Sequence, residues 1–368
     1  MRTMKIGFLT TSLSSDDGWG RYSKSLIEAV AAHAEVVVLT TKDAQNISKL
    51  KDVHAVLPSI SFHPRAQWAL AKQCLAHLQG CDIVHSLVEP YAPGAAYAAK
   101  KIGAHFTMTL HGTYSAPPKS LFSVHRWMLA YALKRATLTT TGSPRTEACA
   151  REVISFGECR FIPNGVETEQ FHTIPGSVHR PFLLTTGAVK PRKGADIVVR
   201  ALGLIKDAFP QLTYTIVGDL GHTAFVAELK KIAASLDIAD RIEFKGIVSD
   251  EQLRTFYNEC MIFILASRSA GGQFEGFPMV YFEANACGAP VITTKGYGSE
   301  YAIKDGVNGF LVPEEDPKAI ADAVRKILTD DGLRKRMTAE ALKVAALHRW
   351  ERIAKEQLVP FYKDIVQK

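Results

Sequence analysis

Several features are scarce or missing in this sequence of 368 residues, and each absence excludes a class of protein. The six cysteines form no Cys-x-x-Cys pair and no cluster with histidines, so they predict reduced, mostly buried thiols and no structural zinc. No apolar run approaches the ~18 residues that a membrane span needs. The first apolar stretch, Met4 to Thr11, lacks the length and cleavage pattern of a signal peptide. We therefore expect a soluble, cytoplasmic protein.

Charge is present in excess of one sign and is unevenly distributed. The formal net charge is +7, and residues 1–180 hold 19 Lys and Arg against 13 Asp and Glu. Residues 100–160 alone hold nine basic and three acidic side chains. A basic face of this kind predicts an anionic surface or an anionic substrate. No signature of a nucleic-acid-binding module accompanies it, so we expect no nucleic acid partner.

Short β-rich runs alternate with helical patterns along the whole chain, and the length favours two domains. This alternation predicts α/β units with parallel sheets. In the first half the predicted strands are residues 4–10, 35–40, 53–57, 82–86, 104–110 and 137–141. In the second half they are residues 182–187, 212–218, 242–244, 261–265 and 291–293. Two doubly wound, Rossmann-like domains follow, with a linker at 171–181 and with ligands at the carboxyl ends of the strands.

The most informative segment begins at Glu275 and runs through Gly-Phe-Pro to Glu283. Pro278 suits the first turn of a helix, which we expect to end at Gly288 before a buried strand at Val291. The free N–H groups of residues 277–280 would then form an anion site, most naturally for phosphate. With one carboxylate on each side, the segment predicts a nucleotide-sugar pocket. The alternative is that both glutamates are ordinary solvated charges.

An ordered set of further motifs extends over almost the whole chain. The motifs are Gly18-Trp19-Gly20-Arg21-Tyr22, Leu110-His111-Gly112-Thr113, Ile162-Pro163-Asn164-Gly165-Val166, Lys193-Gly194, Val217-Gly218-Asp219, Asp305 to Val312, and Trp350-Glu351-Arg352-Ile353 with Tyr362. Together with the two glutamates, these motifs resemble those of the retaining glycosyltransferases of family 4. The resemblance implies the GT-B type of fold, in which two Rossmann-like domains face a central cleft. It implies an acceptor-side domain at 1–170, a nucleotide-sugar-binding domain at 182–349, and a last helix at about 350–368 that crosses back to the first domain.

The resemblance also assigns roles in the first domain. It implies that the backbone of Gly18 and Gly20 lies against donor phosphate or acceptor, where glycine permits a close approach. It implies that His111, at the carboxyl end of a strand, contacts the transferred sugar near the reaction centre. A plain turn and a structural, hydrogen-bonded histidine are the alternatives at these two places.

In the second domain the expected site is a phosphate clamp with two sugar-binding carboxylates. Lys193 is expected to neutralise the departing diphosphate. The family has an arginine directly after Gly187, whereas this chain has Ala188; Lys190 or Arg192 can substitute, and we favour Arg192. The alternative is that the residues from Lys190 to Lys193 form a solvated basic loop.

Two roles follow from the same resemblance, and three further assignments made from the residues themselves complete the predicted site. Glu283 is expected to bind the ribose hydroxyls and Glu275 the hydroxyls of the donor sugar. We expect the base to lie near Ile247, and the glycine-rich stretch 267–273 to form a flap over the donor. The predicted phosphate-binding helix start consists of Phe277, Pro278, Met279 and Val280.

No cofactor and no metal are expected. No Asp-x-Asp motif stands where it could bind a metal diphosphate, and Lys193 with a helix N-terminus can take that role. No side chain is assignable as a nucleophile, so we expect a same-face mechanism in which the donor phosphate acts as the base. The donor is predicted to be a UDP- or GDP-linked hexose.

Residues 117–135 form a basic, aromatic segment that is predicted to be helical. Lys and Arg side chains near an anionic membrane favour peripheral docking, which would suit a lipid-linked saccharide acceptor at the inner face of the membrane. The alternative is a helix whose apolar side covers the sheet.

The sequence as a whole predicts a glycosyltransferase of surface polysaccharide or glycolipid assembly, acting on a saccharide or lipid-linked acceptor. The rival predictions are an inactive nucleotide-sugar-binding protein and a non-hydrolysing nucleotide-sugar epimerase.

Overall fold

The computed structural model describes residues 3–15, 17–41, 50–117, 119–120, 122–269, 275–276 and 278–368. The chain divides into two compact units. The first unit consists of Met1–Gly165 and Trp350–Lys368, and the second of Val166–Arg349.

The first unit contains a parallel sheet of seven strands in the order β3-β2-β1-β4-β5-β6-β7. The strands are β1 Lys5–Leu9, β2 Glu35–Thr40, β3 Val53–Ala55, β4 Ile83–Ser86, β5 His105–Leu110, β6 Leu138–Thr141 and β7 Cys159–Phe161. Strands β1, β4 and β5 are buried almost throughout, as expected for central parallel strands covered on both faces.

The helices of the first unit lie on the two faces of this sheet. They are α1 Gly18–Ala31, α2 Pro64–His77, α3 Ala92–Ile102, α4 Val124–Leu133, α5 Pro144–Arg151, α13 Trp350–Ile353 and α14 Val359–Gln367. Right-handed crossovers place α1 on one face and α2 to α5 on the other. Helix α3 packs against both α2 and α4, whereas α1 packs against the C-terminal segment.

The second unit contains a parallel sheet of six strands in the order β10-β9-β8-β11-β12-β13. The strands are β8 Phe182–Thr186, β9 Thr213–Val217, β10 Ile242–Gly246, β11 Ile262–Leu265, β12 Val291–Thr294 and β13 Gly309–Val312. Its helices are α6 Ala195–Ile205, α7 Thr223–Ser235, α8 Asp250–Glu259, α9 Val280–Ala286, α10 Ser299–Ala302, α11 Pro317–Thr329 and α12 Asp331–Leu347.

The predicted fold class is confirmed, because both units are α/β domains with doubly wound parallel sheets. Two strands, β7 and β13, were not among those predicted. Each lies at the edge of its sheet, and β7 has only three residues, so its pattern is short.

The predicted linker at 171–181 is different in the structure, where residues from Val166 onwards belong to the second unit. Phe171 is buried and packs in one core cluster with Val166 and Tyr257. Ile174 donates its N–H to the side chain of Asn258. The segment is therefore part of the second domain, because its aromatic side chain is needed to complete that core.

The C-terminal segment is tied to the first unit by buried aromatic and polar contacts. The hydroxyl of Tyr362 lies 2.8 Å from Nδ1 of His85, whose Nε2 lies 2.9 Å from the hydroxyl of Thr109. Burial lowers the pKa of His85 to about 3, so this ring is neutral. Trp350 packs edge-to-face on Tyr22. The segment is thus fixed to helix α1 at its start and to strand β4 near its end.

Candidate functional site

In the second unit the carboxyl end of β8 leads directly into a short basic turn. Gly187 follows β8, and a turn of 3-10 helix at Pro191–Lys193 precedes α6. Gly194 joins the two with φ of 68°, and a Cβ there would lie 1.9 Å from the carbonyl oxygen of Ala266. Only glycine permits this approach. The close packing places Lys193 beside the chain that leaves β11.

The basic turn meets Glu275. The Nζ of Lys193 lies 2.8 Å from Oε2 of Glu275, and the guanidinium of Arg192 is paired with the same oxygen. Burial would raise the pKa of Glu275, but the two cations hold it below its usual value. Burial also lowers the pKa of Lys193, and Glu275 opposes that shift. Three predicted site residues are therefore in direct contact.

This cluster carries two positive charges for one negative charge, so it retains the capacity to bind an anion. A Cβ on Gly187 would lie 4.0 Å from Nζ of Lys193, which places the ammonium close to the open backbone after β8. The side chain of Lys190 is exposed. Arg192 and Lys193, rather than Lys190, are thus the cations gathered at the end of the sheet.

A second ion pair, between Arg268 and Asp196, supports the basic turn. Arg268 donates its backbone N–H to the carbonyl of Arg192. Its guanidinium lies 2.9 Å from Oδ2 of Asp196, which is buried in the first turn of α6. These contacts fix the strand-to-helix turn that presents Lys193. Residues 270–273 of the predicted glycine-rich flap lie outside the described residues.

The helix that was predicted to begin at Pro278 begins two residues later, at Val280. Phe282 and Glu283 both donate their N–H groups to the carbonyl of Met279. Pro278 is buried and has no N–H to donate, whereas Met279 and Val280 are partly exposed. Phe277 lies outside the described residues. The anion site at 277–280 therefore stays a prediction.

Glu283 lies in the first turn of α9, earlier in the helix than predicted, and its side chain is buried. Its Oε2 accepts a hydrogen bond of 2.9 Å from the hydroxyl of Tyr257. That hydroxyl also lies 2.8 Å from the hydroxyl of Thr186 at the end of β8. Tyr257 thus orients the carboxylate that was predicted to bind ribose. Sequence reasoning missed Tyr257, since a tyrosine inside a helix carries no signal of this contact.

Ile247, the residue predicted to lie near the base, follows β10 and has an exposed side chain. The carbonyl of Gly246 before it accepts the N–H of Gly218 at 2.8 Å. This bond joins the ends of β9 and β10. The role of Ile247 near the base stays a prediction.

In the first unit His111 directly follows β5, and its ring is held on two sides. Its Nε2 lies 2.7 Å from the carbonyl oxygen of Leu87. A carbonyl can only accept, so Nε2 carries the proton and Nδ1 is the remaining polar atom. The ring of Tyr22 packs edge-to-face on the imidazole at 4.6 Å. Burial lowers the pKa of His111, although Glu89 opposes the shift, so the ring is neutral near pH 7.

Glu89 is a fully buried residue of this region that the sequence reasoning did not identify. Its Oε1 accepts the backbone N–H of His111 at 2.8 Å and the hydroxyl of Ser115 at 2.5 Å. Its Oε2 is also buried and has no hydrogen-bond partner among the residues described. The signal for Glu89 was its place just after β4, the strand next to β5, because neighbouring parallel strands end at the same edge.

Gly18 and Gly20 lie in the first turn of α1, and their surroundings differ. The N–H of Gly20 is already bonded to the side chain of Asp17 at 2.8 Å, and a Cβ on Gly20 would lie 2.3 Å from the carbonyl of Ser14. Gly18 is exposed, with no atom near the position of a Cβ. The close approach at Gly20 is therefore made by the chain itself, while Gly18 retains open space.

Comparison with known families accounts for both units. The family described as glycosyl transferases group 1 matches residues 167–344, and that described as Glycosyltransferase Family 4 matches residues 17–170. The chain belongs to the GT-B, family 4-type glycosyltransferases.

Individual relatives of this family match about half of the chain. A GDP-mannose-dependent alpha-(1-6)-phosphatidylinositol monomannoside mannosyltransferase of Mycolicibacterium smegmatis is 30% identical over 51% of this chain and 50% of the relative. A D-inositol 3-phosphate glycosyltransferase of Acidothermus cellulolyticus is 32% identical over 56% of this chain and 48% of the relative. The chain thus spans about half the length of these relatives.

Solved structures resemble the protein over nearly its full length. Anabaena Alr3699/HepE in complex with UDP has a TM-score of 0.80 at 20% identity, with 98% of this chain and all of that chain covered. A glycosyltransferase from Rickettsia africae has a TM-score of 0.81 at 20% identity, with both chains fully covered. At these identities the likeness establishes the fold.

The segment 117–135 of this family 4 chain is helical over only part of its predicted length. Helix α4 covers Val124–Leu133 and buries Leu129, Ala132 and Leu133 against the first unit. Phe122, just before it, is 95% exposed, and Trp127 within it is 68% exposed. The apolar side of α4 therefore packs on the protein while Trp127 is exposed, and membrane docking stays a prediction.

Over the described parts of this family 4 chain, no three His, Cys, Asp or Glu side chains are grouped so that they could hold a metal ion. The expected independence from metal stays a prediction. Within the same residues, no helix combines the length and the apolar character that crossing a membrane requires.

Proposed function

We propose that the protein is a retaining glycosyltransferase that moves a hexose from a UDP- or GDP-linked donor to a saccharide or lipid-linked acceptor. The observation that carries the proposal is the contact of Arg192 and Lys193 with Glu275 beside Gly187, after the end of β8. A nucleoside diphosphate leaving group needs fixed positive charge where its negative charge develops. Two buried or half-buried cations with a single carboxylate supply that charge.

Each residue of this cluster has a distinct role in the proposal. Lys193 and Arg192 bind the diphosphate, and Arg192 replaces the arginine that family resemblance places at Ala188. When the diphosphate neutralises the two cations, the carboxylate of Glu275 is released to accept hydrogen bonds from the hydroxyls of the donor sugar. Glu283, held by Tyr257, accepts hydrogen bonds from the ribose.

His111 contributes the polar group on the acceptor side. Its Nε2 proton is committed to Leu87, so the neutral ring presents Nδ1 as a hydrogen-bond acceptor for a sugar hydroxyl. We propose that the reaction needs no metal, and that the donor phosphate accepts the proton of the acceptor hydroxyl as the new bond forms on the face that the leaving group vacates. Analysis of the product anomer tests this step, and an inverted linkage contradicts it.

The donor base is proposed from the nucleotides named for one structural neighbour and one relative. One structural neighbour is in complex with UDP, and one relative is named as GDP-mannose-dependent. We therefore place UDP and GDP sugars first among donors. A role in surface polysaccharide or glycolipid assembly, in the cytoplasm and in contact with an anionic membrane, belongs to the same proposal.

Two rival functions make different demands on the chain. A nucleotide-sugar epimerase requires several acids and bases for proton abstraction. The proposal assigns a single basic residue, His111, next to the sugar, which does not meet that requirement. A binding protein without activity would be explained by Ala188, but the pairing of Arg192 with Glu275 supports a replacement for the missing arginine.

The decisive experiment compares Lys193→Ala with Lys190→Ala in a thermal-shift panel of UDP, GDP and ADP, with and without magnesium. Mass action predicts a stabilisation of about 2.7 kcal/mol at a hundredfold excess over the dissociation constant. We expect one nucleotide to stabilise the wild type and the Lys190 variant, but not the Lys193 variant, without magnesium. The matching sugar nucleotide is then tested for transfer and for hydrolysis.

Three other outcomes would contradict parts of the proposal. Stabilisation that requires magnesium removes the metal-free mechanism. Stabilisation without transfer or hydrolysis favours the binding protein, and no stabilisation by any nucleotide removes the donor site.

A further inference from the structure

Helices α2, α3 and α4 contain no acidic residue. Across residues 53–146 the sequence has nine Lys and Arg but only two carboxylates, Asp82 and Glu89. Asp82 accepts the backbone N–H of Lys5, and Glu89 is fully buried. The three helices lie side by side on one face of the first sheet, because α3 packs against both of its neighbours. We call their solvent side the α2–α4 face.

Basic and aromatic side chains alternate on this face and contact one another. The Nζ of Lys72 lies 5.6 Å from the ring centre of Trp68, which packs edge-to-face on Tyr97 at 6.0 Å. The Nζ of Lys101 lies 5.7 Å from the ring centre of Tyr97. Trp68 is nevertheless 53% exposed. These contacts thus join α2 to α3 and leave the indole of Trp68 in solvent.

The cations of this face are largely uncompensated. Among the residues that the structure describes, Arg65, Lys72, Lys100, Lys101, Lys134 and Arg135 take part in no ion pair. Lys119, at the edge of the face, is paired with Glu152 at 3.4 Å. An excess of unpaired cations around exposed aromatic rings fits an extended anionic surface rather than a single acidic ligand.

We propose that the α2–α4 face docks on an anionic lipid bilayer. Trp68 and Trp127 would lie at the membrane interface, where indole rings are favoured, and the lysines would reach the headgroup phosphates while their stems cover apolar surface. The exposed apolar side chain of Val124 favours lipid over nucleic acid, because an aromatic ring such as that of Phe122 can stack on bases but valine cannot. Docking through this face would bring the protein to the membrane that holds the proposed lipid-linked acceptor. Only this link to the acceptor rests on the proposed function.

The test is co-sedimentation of the full chain with vesicles of phosphatidylcholine, with and without phosphatidylglycerol. We expect binding only to the anionic vesicles, and we expect it to fall steeply at about 1 M salt, where the Debye length is about 3 Å. Each cation near such a surface adds about fivefold to binding. Lys72→Glu combined with Lys101→Glu should therefore weaken binding by more than about 25-fold.

The matched control is Lys231→Glu combined with Lys335→Glu, which replaces two exposed helix lysines of the second unit. Both double variants lower the formal net charge by the same four units, so the control should bind vesicles far better than the α2–α4 variant. Equal losses in the two variants would overturn the proposal, because they would reflect net charge alone. Trp68→Ala, which changes no charge, should weaken the binding that persists at high salt.

No binding of the wild type to anionic vesicles would also overturn the proposal, as would preferential binding of an RNA or DNA competitor. Vesicle binding is measured without donor or acceptor, so its failure is distinct from failure of the proposed transferase activity. The nucleotide-induced thermal shift of the Lys72/Lys101 variant serves as the check on folding and should equal that of the wild type.

Discussion

Both units place a carboxylate after a parallel strand and beside a basic side chain, but they compensate its charge differently. In the second unit Glu275 is paired with two cations, Arg192 and Lys193. In the first unit Glu89 accepts a backbone N–H and a hydroxyl next to the neutral ring of His111. An arriving anion can replace a carboxylate in an ion pair, whereas a carboxylate bonded to the backbone is part of the scaffold. On this proposal Glu275 can be displaced from its cations by a bound anion, and we call its cluster with Arg192 and Lys193 the exchangeable site. Glu89 instead keeps its hydrogen bonds as part of the fold.

The largest effect is expected from Lys193→Ala. Loss of the ammonium removes a preorganised charge from the leaving diphosphate, and groups of this kind contribute roughly 100- to 1,000-fold to kcat. The measurement is the initial rate of transfer from the donor chosen by the thermal-shift panel. Lys190→Ala removes one charge from the same loop and should change the rate by less than about threefold. Equal losses would contradict the assignment.

Glu275→Gln should separate binding from transfer. The substitution frees Arg192 and Lys193 from their competing carboxylate, so we expect the free nucleoside diphosphate to bind more tightly, by several-fold. Transfer should fall by roughly 100-fold, because the hydroxyls of the donor sugar lose a charged, preorganised hydrogen-bond acceptor in the transition state. Calorimetric titration with nucleotide and steady-state kinetics check the two halves. Weaker nucleotide binding would show that Glu275 supports the cations instead of competing with phosphate.

Glu89→Gln should affect the first unit alone. The amide retains one acceptor for the N–H of His111 but introduces a buried donor without an evident partner, at a cost of about 1–3 kcal/mol. We expect a lower melting temperature and a loss of transfer of about tenfold, since a neutral amide oxygen holds the backbone N–H of His111 and the hydroxyl of Ser115 less firmly than a carboxylate does. The nucleotide-induced thermal shift should be unchanged. A change in nucleotide affinity would contradict the separation of the two sites.

The pH dependence of nucleotide affinity should reflect only the exchangeable site. Burial lowers the pKa of Lys193 in the free protein, and a bound diphosphate favours the ammonium form. Affinity is therefore full below the pKa of the free protein and is lost as pH rises through it, by up to tenfold per pH unit. The loss should begin below the ordinary lysine pKa of about 10.4.

Two comparisons isolate that titration. Calorimetric titrations with nucleotide between pH 7 and about pH 10.4 should show the loss of affinity with rising pH in the wild type and in Lys190→Ala, but not in Lys193→Ala. His111 should add no titration above pH 7, because its pKa is lowered and its ring is already neutral there. A slope that persists in Lys193→Ala would assign the titration to another group.

Residues with a local signal were found from the sequence. The strand at Phe182–Thr186, the glycine that precedes α6 and the proline before α9 follow from β-propensity and backbone geometry, which act over a few residues. The start of α9 was misplaced by two residues, since Pro278 is compatible with both starts. Phe171 was assigned to a linker, because its burial depends on Tyr257, which is distant in sequence.

The sequence by itself therefore determined the α/β class and the two domains, and it predicted Arg192, Lys193 and Glu275 as site residues, because strand periodicity and motif order are local properties. Tertiary structure alone decided that one oxygen of Glu275 meets both cations, that Tyr257 orients Glu283, and that Glu89 lies beneath His111. Those contacts join residues up to 83 positions apart. They arise only when parallel strands end at a common edge and bring their following loops together.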